Sequence, residues 1–180
     1  MKWQQEAERL LTESGLLDIL REYGEPRVIG SASMDLMVWP DLDIDVIHDD
    51  MDIRKLHRLT CTLLERFAPL WYEAKEEVND EGKTVWFHGM EAVVNGTRWN
   101  FDIWFFDRET VEKAEAYCAG IRETVGRHPA YREVILQLKR ELIDRGLYVF
   151  GKYTSMDVYR AVLEQGITDI DTFLAENPLS

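Results

Sequence analysis

Pro40-Asp41-Leu42-Asp43-Ile44-Asp45-Val46, with Gly30-Ser31 upstream of it, is the stretch on which the fold turns. Acidic and apolar residues alternate from Asp41 to Val46. Side chains two apart on a strand share a face. Asp43 and Asp45 therefore point one way, and Leu42, Ile44 and Val46 the other. Two carboxylates about 6 Å apart, in a medium of effective dielectric about 20, repel by roughly 3 kcal/mol. A fold tolerates this where a cation lies between them, and an all-oxygen donor set suits Mg²⁺.

The chain has 180 residues, 46% of them hydrophobic, so it can build a sizeable core as one domain or as a domain with a helical appendage. Its formal net charge is -13. Nonspecific nucleic-acid binders and proteins of anionic membranes rely on Lys and Arg, so this balance argues against both partners. The opening residues are polar and helix-forming rather than signal-like, and no apolar stretch is long enough to span a bilayer. The cytoplasm is the expected location. Cys61 and Cys118, far apart in helical patterns, are expected to be buried free thiols. His48, His57, His88 and His128 lack metal-ligand spacing and are expected in structural or surface roles.

The periodicity predicts a helix from Trp3 to Leu20 broken at Ser14-Gly15, then a short strand, Arg27-Val28-Ile29, that delivers the Gly30-Ser31 turn. Residues 32–40 read as irregular and 42–47 as the acidic strand. Asp49, Asp50 and Asp52 precede a helix ended by Pro69, where they suit an N-cap. Strands follow at Trp71–Val78, Thr84–Val94 and Thr97–Phe106, the last two joined by Asn95-Gly96, a hairpin signal. Helices are expected over 109–126 and 130–145, with Gly146 as a cap. Thr154–Asp157 and Thr168–Asp171 read as capping boxes that open two short final helices. The expected fold class is thus α/β (α+β): a mixed sheet flanked by helices over 1–107, then a helical region over 108–180.

Asp102 adds a third carboxylate. It shares its strand face with Asn100 and Trp104, while Trp99, Phe101, Ile103 and Phe105 take the other face. If this strand lies beside 42–47, three carboxylates converge. The Gly30-Ser31 turn, the Asp43-Ile44-Asp45 pair and the distant Asp102 on an apolar strand resemble the nucleotidyltransferase superfamily that includes DNA polymerase beta. The run from Pro40 to Val46 is similar to the small bacterial members, the antibiotic and minimal nucleotidyltransferases. The resemblance implies that Gly30, Ser31 and Ser33 bind the NTP, that Asp43, Asp45 and Asp102 are the catalytic metal ligands, and that two Mg²⁺ ions serve them. It implies transfer of an NMP to a hydroxyl of a small molecule or protein. Asp102 is the carboxylate placed to take the hydroxyl proton.

The segment after the turn, Ala32-Ser33-Met34-Asp35-Leu36-Met37-Val38-Trp39, lacks the basic residue and the glycine that small members carry there. Lys139, Arg140 and Lys152 are candidates for that positive charge, although a solvated helix face is the plainer reading of Lys139 and Arg140. The departure keeps open a catalytically inactive nucleotide-sensing or antitoxin-like module on the same fold.

Overall fold

The computed structural model describes residues 2–149 and 151–179. The chain divides into two units, Met1–Cys118 and Ala119–Ser180. The first contains α1 (Lys2–Glu13), α2 (Leu16–Arg21), β1 (Glu25–Val28), α3 (Gly30–Ser33), β2 (Asp41–Ile47), α4 (Ile53–Phe67), β3 (Trp71–Val78), β4 (Thr84–Val94), β5 (Thr97–Phe106) and the start of α5 (Arg108–Arg127). The break at Ser14-Gly15, the three predicted strands from Trp71 onward and the Asn95-Gly96 hairpin all occur as expected. The Gly30-Ser31 turn and the first two residues of the segment 32–40 expected to be irregular wind into one helical turn.

The sheet has five strands in the order β1-β2-β5-β4-β3. Strand β2 pairs antiparallel with β1 and parallel with β5. A parallel neighbour needs a crossover, and α4 with the following strands provides the chain length for it. Leu42, Ile44 and Val46 of β2 and Phe101, Ile103 and Phe105 of β5 join one core with Leu10, Leu16 and Leu20 of the first helices and Leu56, Leu59 and Leu63 of α4. Asp52 caps α4, its carboxylate accepting from the Lys55 backbone N–H at 2.7 Å. Burial of these apolar side chains at about 25 cal/mol per Å² holds β2 and β5 to one rotation. A slip by one residue would turn every aspartate into the core.

In the second unit α6 (Pro129–Asp144), α7 (Ser155–Leu163) and α8 (Ile170–Glu176) bury Ile135, Leu138, Leu142, Val158, Val162 and Phe173. Thr154 and Asp157 form the expected capping box. The Thr168 box does not form as read; Asp169 is the N-cap and accepts from the Thr172 N–H at 2.9 Å. Its carboxylate outcompetes the weaker Thr168 hydroxyl one residue earlier. Lys139 corrects a second expectation. It is 1% exposed, with its ammonium 5.8 and 5.6 Å from the ring centres of Tyr148 and Tyr159. Ile135, Lys139 and Leu142 are one helical turn apart, so this lysine lies on the apolar stripe. Both cysteines are free, but only Cys118 is buried; Cys61 lies on the exposed side of α4.

His88, on the core-facing side of β4 between Trp86 and Met90, is fully buried, and neither ring nitrogen has a hydrogen-bond partner. Burial pushes its pKa down to about 4. A histidine depressed in the folded chain stabilises nothing on the acid side: stability is present above the ordinary 6.5 and is lost as pH falls toward 4. His88→Met should abolish a loss of roughly 3 kcal/mol between pH 7 and pH 4. Urea titrations of both proteins at the two pH values measure it; equal losses would mean that His88 is not the responsible group.

Candidate metal and nucleotide site

The ladder of β2 and β5 puts Asp43 directly opposite Asp102, and Asp45 opposite Trp104. Adjacent parallel strands lie about 4.8 Å apart, so opposed side chains on one face are neighbours. Asp43 and Asp102 are half-buried, whereas Asp45 is 3% exposed. All three point away from the core that holds Leu42, Ile44, Phe101 and Ile103. Among the described residues, no group of three His, Cys, Asp or Glu side chains is already closed to the spacing of an ion cage.

The Gly30 turn is fixed to Asp43. The Ile29 N–H donates to the Asp43 carbonyl at 3.0 Å, which continues the β1–β2 pairing to the residue before the turn. Gly30 then leaves the ladder with φ +60°, and a Cβ there would lie 2.0 Å from Asp43 Oδ2. Only glycine permits both the backbone angle and the carboxylate. Ser31 is buried, and its carbonyl accepts from the Leu36 N–H at 3.0 Å. The Ser33 hydroxyl donates to the Gly30 carbonyl at 2.9 Å, which closes the turn on itself. Backbone N–H groups at such a turn can approach anionic oxygens closely.

Burial pushes the Asp45 carboxyl up to about 7, and the negative charge of Glu115 on α5 adds to the rise. Arg27 stands opposite Asp45 on β1. Its guanidinium is turned to other acceptors, Glu25 at 3.0 Å and Glu115 at 3.4 Å, and so leaves Asp45 uncompensated. Burial raises Asp102 as well, while the Asn100 amide favours its charged form. Asn100 also donates to Asp41 at 2.8 Å, which ties Asp41 into the strand start expected of it. Arg27, Glu115 and Gly89, which lies opposite Asp102 on β4, were not singled out from the sequence. Arg27 and Gly89 become neighbours of the acids through strand order, and Glu115 through the placement of α5, neither of which local spacing encodes.

No protein-family model matches the chain, and no curated protein matches it significantly in sequence. Solved structures do match. The Cid1 poly(U) polymerase bound to MgATP is 17% identical with a TM-score of 0.65, over 90% of this chain and 50% of that one. The GLD-2–GLD-3 non-canonical poly(A) polymerase complex gives 14% and 0.62, over 94% and 55%. The mtPAP structure with ATPγS gives 15% and 0.52, over 89% and 38%. The chain spans about half the length of the first of these, or less in mtPAP. Its fold is the fold of these solved structures. The described residues contain no helix long and apolar enough to cross a membrane.

Substitutions at Gly30, Asp43 and Asp45 probe this arrangement without any ligand. Gly30→Ala should cost about 1–3 kcal/mol, the usual size of forced left-handed strain plus a clash. Combined with Asp43→Ala, which removes the nearest atom, the cost should be clearly less than the sum in a denaturation cycle; additivity would separate Gly30 from Asp43. In metal-free buffer, Asp45→Asn should change the pH response. A carboxyl raised to about 7 from an ordinary 3.8 contributes fully below pH 4, and that contribution is lost as pH rises to 7. The variant should therefore be more stable than the parent at pH 8, by as much as about 4 kcal/mol, and equal to it near pH 4. Identical melting at pH 8 would mean that Asp45 is already charged and balanced.

Proposed function

We propose that this chain is a Mg²⁺-dependent nucleotidyltransferase that moves an NMP from an NTP to an acceptor hydroxyl. The observation that carries the reading is the register of Asp43 against Asp102, with the Gly30 turn pressed on Asp43. An all-carboxylate donor set is the chemistry a hard divalent cation selects. Burial raises the pKa of both Asp45 and Asp102, and among the described residues no basic side chain offsets the rise.

In this reading Asp43, Asp45 and Asp102 hold one or two Mg²⁺ ions. Bound there, the metal neutralises charge on the phosphoryl oxygens. The Gly30-Ser31 backbone grips the triphosphate, and Ser33 keeps the turn closed. Asp102 takes the proton of the acceptor hydroxyl, for which a carboxyl raised by burial is a better base than an ordinary one. The hydroxyl oxygen bonds to the α-phosphorus, the bond to the bridging oxygen breaks, and pyrophosphate leaves with that electron pair. Arg27, freed from Glu115, is the basic side chain that the ladder places opposite Asp45.

The net charge of -13 favours a small-molecule or protein hydroxyl as acceptor. The likeness to poly(U) and poly(A) polymerases weighs the other way and restores an RNA end to the candidates that the charge had set aside. A cytoplasmic site of action fits the nucleotide requirement. The absence of a basic residue in 32–39 and the engagement of Arg27 by two glutamates favour one rival, a nucleotide-sensing module without turnover.

Melting curves with Mg²⁺ and each NTP, followed by pyrophosphate release with mixed acceptors, separate the two. The catalyst should be stabilised by a metal–nucleotide pair, roughly 3 kcal/mol at a hundredfold excess over the dissociation constant. Its turnover should vanish in Asp43→Asn/Asp45→Asn. Turnover that survives the double substitution would end the proposal.

A further inference from the structure

An aromatic wall flanks the carboxylates on the side away from the Gly30 turn. Gly89 of β4 is paired with Asp102, so the residue beside the third carboxylate has no side chain. Two rings from the same face fill that space. A Cβ on Gly89 would meet Phe87 Cζ at 2.7 Å and Trp71 Cζ3 at 3.3 Å. Trp104, opposite Phe87 in the ladder, has its ring centre 4.6 Å from that of Phe87. Phe106 extends the surface, stacked nearly parallel to Trp104 at 9° and 5.4 Å.

Trp71, Trp104 and Phe106 stand outside the core, whereas Phe87 is buried, 8% exposed, and backs Trp104. The apolar cluster of this unit draws on the other face of the same strands, with Trp86, Met90, Trp99, Phe101 and Phe105, and contains none of the wall rings. Trp71 is 48% exposed, and Trp104 and Phe106 are partly exposed. Large aromatic surface left outside a core marks a place where something binds. What binds follows from the order of the strands. Across the sheet run the turn after β1, Asp43 on β2, Asp102 on β5, Gly89 on β4 and Trp71 on β3. The turn and the wall thus lie on opposite flanks of the acids. In phosphoryl transfer the attacking and leaving oxygens are roughly in line across the phosphorus. With the triphosphate at the turn, the acceptor arrives from the flank where the wall stands.

We infer that Trp104 and Trp71, backed by the buried Phe87, seat the acceptor by stacking on a flat ring next to its reacting hydroxyl, and that Gly89, with no side chain beside Asp102, leaves room for these rings. The inference rests on the nucleotidyltransferase reading above. A nucleoside has this chemistry, whether free or at the end of a strand. An aromatic face tolerates any base, since each presents a π-surface.

Fluorine NMR of protein labelled with fluorotryptophan tests it. The Trp104 and Trp71 lines are identified by their loss in Trp104→Phe and Trp71→Phe. Mg²⁺ and a non-hydrolysable ATP analogue fill the nucleotide side first. Adenosine, a short RNA oligonucleotide and myo-inositol are then titrated separately. Adenosine, the oligonucleotide or both should shift the Trp104 and Trp71 lines, and inositol should not. A response to the oligonucleotide alone identifies a strand end as the source. Trp104→Ala should weaken binding of the active probe about tenfold or more, and Trp104→Phe should recover most of it. Lines that move with no ring-bearing probe, or move equally with inositol, would overturn the inference. Asp43→Asn/Asp45→Asn keeps the wall, so its probe shifts should persist even where transfer is absent; a failed metal site and a failed acceptor seat thus give different results.

Discussion

Repulsion between neighbouring carboxylates is the constraint on which the rest of this unit depends. Asp43 and Asp102 face each other across the only parallel pair in the sheet. Two such groups repel by a few kcal/mol even when partly screened. The cost is carried by the opposite faces of the same strands, where Leu42, Ile44, Val46, Phe101, Ile103 and Phe105 are all fully buried. The core therefore fixes the positions of the acids, and the acids have no freedom to choose the core.

That division of labour explains what could be read in the chain. Alternation is a property of one strand, so the faces of Asp43, Asp45 and Asp102 were legible from β2 and β5 alone. Asn95-Gly96 fixed the hairpin, and the irregular spacing around Gly30-Ser31 marked a turn. The resemblance joined these pieces, and the fold of the solved nucleotidyltransferases agrees with it. Pairing between distant strands is a different kind of information. The positions of Arg27 opposite Asp45 and Gly89 opposite Asp102 are consequences of strand order, and a glycine with no local turn signal gave no reason to be noticed.

Lys139 and His88 were hidden for another reason. Each carries a polar label that outweighs its position in a simple reading. The helical spacing of Ile135, Lys139 and Leu142 already placed the lysine on the buried stripe, and the alternation of Trp86, His88 and Met90 did the same for the histidine. Periodicity was the better guide than residue type in both cases. Long aliphatic stems and flat rings let such groups enter an apolar layer while their polar atoms cost energy there.

The charge of the whole chain and the charge of the site pull in different directions. A chain with 34 acidic against 21 basic residues repels polyanions at long range. Within the site the same excess raises Asp45 through Glu115 and diverts Arg27 into pairs with Glu25 and Glu115. A cation bound among the carboxylates, as proposed, would reverse the local sign and make the same acids an attractive environment for phosphate oxygens. Long-range repulsion is screened within about 8 Å at physiological ionic strength, whereas the metal acts at contact. In the proposed function, the overall acidity therefore limits how an anionic substrate approaches far more than whether it can be held, and selection among acceptors falls to uncharged contacts such as the rings beside Asp102.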